Sequence, residues 1–239
     1  MRRLFISDLH LDESRADLTA ALASFLHDEC VGCDELYVLG DLFNFWISDG
    51  EKTPFQEKIA ELFRKSPAKK IFFQRGNRDF LVGRRYCRRA RMKLLPNSKT
   101  IKVGSERALL CHGDEFCTLD AAYQRFKKFR DNRFYRLIFA LLPFSVKQSI
   151  AGRVRSDSGS GKTIKTPEMM DVVKDDVIEG MRKRKSTLLI HGHTHKPAEH
   201  SYDGEGLKRI VLGDWREDGF AYLEENDGNL ELKRKTSSD

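Results

Sequence analysis

The chain has 239 residues, 40% hydrophobic and 33% charged, with a formal net charge of +7. That length buries a full core as one domain, or as one domain with an insertion. No run of eighteen apolar residues occurs, which excludes a membrane-spanning helix. Five scattered cysteines argue against a disulfide framework and suit a reducing compartment.

Met1-Arg2-Arg3 passes straight into Leu4-Phe5-Ile6, without the apolar stretch and cleavage site of a signal peptide, so a cytoplasmic location is expected. Leu4 to Ser7 reads as a short buried strand. Leu18, Leu22, Phe25 and Leu26 then recur at helical spacing. Cys30-Val-Gly-Cys33 has no second pair to complete a sulfur site and reads as two small semi-buried thiols. Leu36 to Leu39 is a second strand, Phe55 to Phe63 a second helix closed by Ser66-Pro67, and Ile71 to Phe73 a third strand. A helix with a basic outer face is predicted over Arg84 to Arg91. Leu94 to Val103 and Ala108 to Cys111 continue the sheet.

Between Asp120 and Lys165 stand eleven Lys or Arg against three Asp, so all the excess positive charge sits there. Phe134 to Phe144 is a dense apolar stretch within it, and helical spacing puts Tyr135, Ile138, Phe139 and Leu142 on one face. A basic, aromatic amphipathic element reads as a membrane-surface contact or a greasy pocket. The aromatics form a continuous run and do not interleave with exposed basic residues, so nucleic acid is not an expected partner. Ser156 to Gly161 reads as a flexible joint.

Pro167 opens a helix predicted to run to about Arg184, with Met170, Val173, Val177 and Met181 inward. The tail is strand-rich: Leu188 to Ile190, Ile210 to Leu212, Phe220 to Leu223 and Leu230 to Leu232. Alternating helices and strands followed by a run of strands predict a layered α/β fold, with its site on loops where strands end.

Five segments after apolar runs carry metal-ligand residues: Asp8-Leu-His10, Gly40-Asp41, Gly76-Asn77-Arg78-Asp79, His112-Gly-Asp114 and Gly192-His193-Thr-His195. They supply two Asp, one Asn and four His for two divalent ions. Oxygen and imidazole donors without thiolate favour Mn²⁺, Mg²⁺, Fe²⁺ or Zn²⁺. Alternation along an extended strand end would put Asp8 and His10 on one side, and likewise His193 and His195. Asp41, standing alone, could bridge two ions. Two metals roughly 3.5–4 Å apart serve water attack on a phosphorus ester.

In this order the motifs resemble the calcineurin-like metallophosphoesterase superfamily across nearly the whole chain. The resemblance implies a sandwich of two central sheets flanked by helices, one domain over 1–239, with a helical lid inserted at about 120–166. It implies one metal held by Asp8, His10, Asp41 and His195, a second by Asp41, Asn77, His112 and His193, and Mn²⁺ as the ion. Many members carry His after the Asn to protonate an alkoxide; this chain has Arg78. Arginine stays charged and donates no proton at neutral pH, whereas a phosphate leaving group, with its second pKa near ~6, departs unprotonated. Arg78 would neutralise charge on the phosphoryl oxygens, which points to pyrophosphate cleavage. The alternative for Arg78 is a surface ion pair with Asp79.

The local sequences around Asp8, Asp41, Asn77, His112 and His193 resemble the branch acting on UDP-2,3-diacylglucosamine in lipid A synthesis. One departure is Asn44, where an acidic residue is more usual. That branch implies substrate contacts at Asn77, Arg78, Asp120, Ser158, Lys162, Lys165 and His193, with peripheral association at the cytoplasmic side of the inner membrane and no obligate protein partner. Two other readings remain: a broad phosphodiesterase or nucleotide pyrophosphatase on the same core, and a non-catalytic scaffold.

Overall fold

The computed structural model describes residues 1–143, 145–147, 149, 169, 171–202 and 204–236. They form two compact units: Met1–Asp114 with Ile178–Asp239, and Glu115–Val177.

The first unit is built on two sheets. In one, β1 (Arg2–Ile6), β2 (Glu35–Leu39), β3 (Lys70–Gln74) and β4 (Met92–Leu94) run parallel; β10 (Gly219–Asn226) and β11 (Asn229–Thr236) extend it antiparallel, in the order β11-β10-β1-β2-β3-β4. The other has the order β5-β6-β7-β9-β8, from β5 (Ser98–Val103), β6 (Glu106–Cys111), β7 (Leu188–His191), β8 (Ala198–Tyr202) and β9 (Leu207–Val211).

Both faces of the first sheet are covered around β1, β2 and β3, which is why these strands carry unbroken apolar runs. Leu4, Ile6, Leu36, Val38, Ile71 and Phe73 point to the helices α1 (Ala16–Ser24), α2 (Pro54–Lys65) and α3 (Arg84–Arg89), packing with Leu18, Leu22, Ile59, Phe63 and Tyr86. Phe5, Tyr37 and Leu39 point the other way, onto Leu110, Leu188, Ile190 and Ile210 of the second sheet. Gln74 ties the sheets directly, its Nε2 donating to Leu110 O at 3.2 Å and Pro96 O at 2.8 Å.

Four details differ from the sequence reading. Leu94 and Ser98 belong to different sheets, because Leu95-Pro96-Asn97 breaks the run. The helix over Arg84 stops at Arg89, and Arg91 takes a left-handed conformation (φ 57). The edge strand β8, whose alternation of Ala198, His200 and Tyr202 with Glu199 and Ser201 is only weakly apolar, was not predicted. Cys30 and Cys33 are fully buried rather than partly so.

In the second unit, Asp120 caps α4 (Ala121–Asp131) by accepting Tyr123 N–H at 2.9 Å. Asn132 caps α5 (Arg133–Leu141), accepting Phe134 N–H at 2.9 Å. The expected amphipathic helix is thus α5, with Leu142 just past its end. Phe134 and Leu141 are 65% and 77% exposed. Helix α6 (Lys174–Lys183), which runs from the second unit into the first, begins at Lys174: residues 171–173 are not helical, the Asp171 side chain takes the Val172 N–H at 2.8 Å, and Pro167 lies outside the described residues. Of its expected inward residues, Val177 and Met181 are buried, Val173 precedes the helix, and Met170 lies outside the described residues.

Candidate metal centre

The parallel strands of both sheets end on the same side of the first unit. Asp8 follows β1, Asp41 follows β2, Asn77 follows β3, His112 follows β6, and His193 and His195 follow β7. Backbone pairing persists past the strand ends: Asp8 N donates to Gly40 O (3.1 Å), His10 N to Asp41 O (2.9 Å) and Gly192 N to His112 O (2.9 Å).

The backbone there is not extended as alternation requires. Asp8 (φ 56), His10 (φ 47), Asp41 (φ 52), His193 (φ 69) and His195 (φ 56) are all left-handed, five of the eight non-glycine residues so placed among those described. This conformation costs L-residues roughly 1–2 kcal/mol each and clusters at functional sites. Two glycines permit the approach. A β-carbon at Gly76 would fall 2.1 Å from Asp41 Oδ1, and one at Gly192 would fall 2.1 Å from Asp8 Oδ2.

Asp8, fully buried, is divided between two tasks. Its Oδ2 accepts from Ser7 Oγ (2.6 Å) and His193 N (2.8 Å). Its Oδ1, although buried, accepts no hydrogen bond from the described residues; around it stand His195 Nε2 at 3.4 Å and His10 Nε2 at 3.9 Å, themselves 3.1 Å apart. A buried carboxylate oxygen without a donor is costly. Spacings of 3–4 Å are those of atoms sharing an ion at roughly 2.0–2.2 Å, so the donor set fits a divalent metal.

A second group adjoins the first. Asn77 Oδ1 lies 2.9 Å from both His112 Nε2 and His193 Nδ1, and Asp41 Oδ2 lies 3.6 Å from His112 Nε2 and 3.9 Å from His10 Nδ1. The Nδ1 of His112 is spent on Leu39 O at 2.9 Å, which aims Nε2 at the group. All seven predicted ligands are thus brought together.

Arg78 does not pair with Asp79. Asp79 is fully buried and accepts the backbone N–H of Gly76 and Leu42, each at 2.8 Å. The Arg78 N–H donates to Asp41 Oδ1 at 2.8 Å, while its exposed side chain has no ion-pair partner among the described residues.

Electrostatics separate the histidines. Burial lowers His193 to about 3, helped by His112, and lowers His10 to about 4 against the pull of Asp8. Burial also opposes charge on His195, but Asp214 and Asp8 prevail and raise it to about 10. Burial works against Asp8 as well, yet His195, His112 and His10 hold its carboxyl below the usual range. Asp41 is pushed up to about 6 by burial, with the Asp8 charge adding to it. Neutral His10 and His193 offer lone pairs; His195 carries a proton that a cation must displace.

Of the predicted substrate contacts, Asn77, Arg78 and His193 lie in this centre. Asp120 is a buried helix cap in the second unit, and Ser158, Lys162 and Lys165 lie outside the described residues. Sequence reasoning missed Ser7 and Asp214. Asp214 follows β9 at 3.4 Å from His195 Nδ1; its only sequence signal is one more acid after one more apolar run.

Comparison with known proteins adds the following. The calcineurin-like phosphoesterase family matches residues 1–197. The chain is 43% identical over 237 residues to a UDP-2,3-diacylglucosamine hydrolase of Tolumonas auensis, covering 97% of this chain and 96% of that one. It is 42% identical over 240 residues to one of Aeromonas salmonicida, covering 99% and 94%. In fold it is similar to a single mutant of Vps29 from Entamoeba histolytica, with a TM-score of 0.50, 15% identity and 99% of each chain covered.

Proposed function

The chain belongs to the calcineurin-like phosphoesterase family, and from that premise we propose that it hydrolyses the pyrophosphate bond of UDP-2,3-diacylglucosamine in lipid A synthesis. The products are UMP and 2,3-diacylglucosamine 1-phosphate. The observation that carries the reading is Asp8 Oδ1, buried, without a hydrogen bond among the described residues and ringed by His10 and His195, in a chain whose relatives, matched along almost their whole length, are named for that substrate.

Asp8, His10, Asp41 and His195 would hold one divalent ion, and Asp41, Asn77, His112 and His193 the other, with Mn²⁺ the ion of choice. When bound, such a pair lowers the pKa of water and polarises the phosphoryl oxygens. The chain's own groups do the rest. Leu39 O fixes the ring of His112. Asn77 Oδ1 sits between His112 and His193. Arg78, with no ion-pair partner among the described residues, supplies positive charge to the phosphoryl oxygens as negative charge grows on them. No proton donor is required for a phosphate monoester that leaves unprotonated.

Substrate contacts at Asp120, Ser158, Lys162 and Lys165 form part of the same proposal. So does peripheral association with the cytoplasmic side of the inner membrane. It is supported by the exposed Phe129, Phe134 and Leu141 of the second unit; among the described residues, no helix is long and apolar enough to cross a membrane.

The test is hydrolysis by metal-stripped protein with and without Mn²⁺, using the acylated substrate, an unacylated UDP-sugar and a generic phosphodiester. Metal-dependent release of UMP from the acylated substrate alone is the expected result. Turnover of the generic ester without acyl preference would remove the lipid assignment and leave a broad phosphodiesterase.

A further inference from the structure

We propose that Asp214 is a positioning residue for the metal centre, holding the His195 ring so that one nitrogen is presented to the ion. This rests on the metal assignment above. Asp214 Oδ2 lies 3.4 Å from His195 Nδ1. The opposite nitrogen, Nε2, faces Asp8 Oδ1 at 3.4 Å and His10 Nε2 at 3.1 Å. The two ring nitrogens therefore have separate tasks. A proton kept on Nδ1 by the carboxylate leaves the Nε2 lone pair for a cation. Without it, the tautomer protonated at Nε2 competes, and that form cannot ligate.

Asp214 is itself held. The same Oδ2 accepts from Arg216 Nε at 2.8 Å. The Trp215 N–H donates to Asp8 O at 3.1 Å, fastening this loop to the loop that carries the first ligand. The Trp215 indole stacks on Phe220, with centroids 4.3 Å apart and planes at 15°. One short segment thus orients His195 through its carboxylate and steadies Asp8 through its backbone. The segment lies beyond residue 197, where the family match ends, so the role falls to a part of the chain outside the shared motifs.

Metal-stripped parent, D214A and D214N would be titrated with Mn²⁺, reading free ion by electron paramagnetic resonance and folding by circular dichroism. D214A is expected to bind one of two ions about 10–100-fold more weakly, the usual effect of removing a partner of a ligating histidine. D214N keeps an acceptor oxygen toward Nδ1 and should recover most of that loss. If D214A does not fold, D214S, too short to reach Nδ1, takes its place. Parental affinity for both ions in D214A, or in D214S, overturns the positioning role and leaves the metal centre intact. A parent chain that binds no Mn²⁺ overturns both.

Discussion

Gly76 and Asp41 are packed so closely that a β-carbon on Gly76 would lie 2.1 Å from Asp41 Oδ1 and 2.4 Å from Asp41 N. The second contact is backbone, so no rotamer change relieves it. G76A should displace Asp41, the carboxylate shared by both proposed ion sites. Because a misplacement of about 1 Å can cost on the order of 10²-fold in rate, activity should fall by at least that much. Bound metal per chain should also drop, as elemental analysis of the purified variant would reveal.

Metal loading should release protons. His195, raised to about 10 in the metal-free site, is charged at neutral pH and must be neutral to ligate. Affinity should therefore strengthen as pH rises toward about 10 and weaken as it falls. Calorimetric titration with Mn²⁺ in two buffers of different ionisation enthalpy would count the protons; a heat independent of buffer would contradict the assignment. The sign for the metal-free fold is opposite. Stability from a raised histidine is complete below its unfolded pKa near ~6.5 and is lost as pH climbs through the folded value.

Arg78 contributes charge and no ligand atom in this arrangement. R78A should keep the fold and the ion count while losing roughly 10²–10³ in kcat, the range for removing one preorganised group that stabilises transition-state charge. R78K should recover only part, since an ammonium cannot match a guanidinium's paired donors. Loss of bound metal in R78A would mean that the guanidinium shapes the ligands instead.

Leu141 and Phe134, at 77% and 65% exposure, contribute little to the core of the second unit. Substituting both with Asp should leave the thermal midpoint nearly unchanged while weakening binding to lipid vesicles and raising KM for the acylated substrate. Turnover of an unacylated UDP-sugar provides the control. An equal loss on both substrates would show that these side chains serve something other than acyl chains.

That the seven candidate ligands converge was legible because the segments carrying them follow apolar runs and come with a glycine, a second histidine or a second acid. Strand ends that deliver polar residues to one edge leave that pattern in the chain. The backbone carrying the ligands was not legible, since nothing in Asp-Leu-His distinguishes an extended pair from two left-handed residues. Asp214 escaped for a related reason: Gly-Asp-Trp-Arg reads as an ordinary turn, and its partner His195 lies nineteen positions earlier. β8 was hidden because its inward face, Ala198, His200 and Tyr202, is only weakly apolar although it alternates with exposed Glu199 and Ser201. Within Leu94 to Val103 the only hint that two sheets divide the run is Pro96-Asn97, a turn signal the sequence reading passed over. Asp79 seemed available to Arg78 only while its burial was unknown.

Five of the seven candidate ligands sit on left-handed residues, and each of the five would be more comfortable as glycine. Selection for folding alone would therefore erode this site, and only selection for the reaction retains it. A related chain released from catalysis should drift toward glycine or asparagine at positions 8, 10, 41, 193 and 195 and gain stability as it does so. Its backbone could keep this same path while the chemistry disappears. Among chains of this fold, the residue types at those five bends would then separate working enzymes from retired ones, even where the superimposed structures look alike.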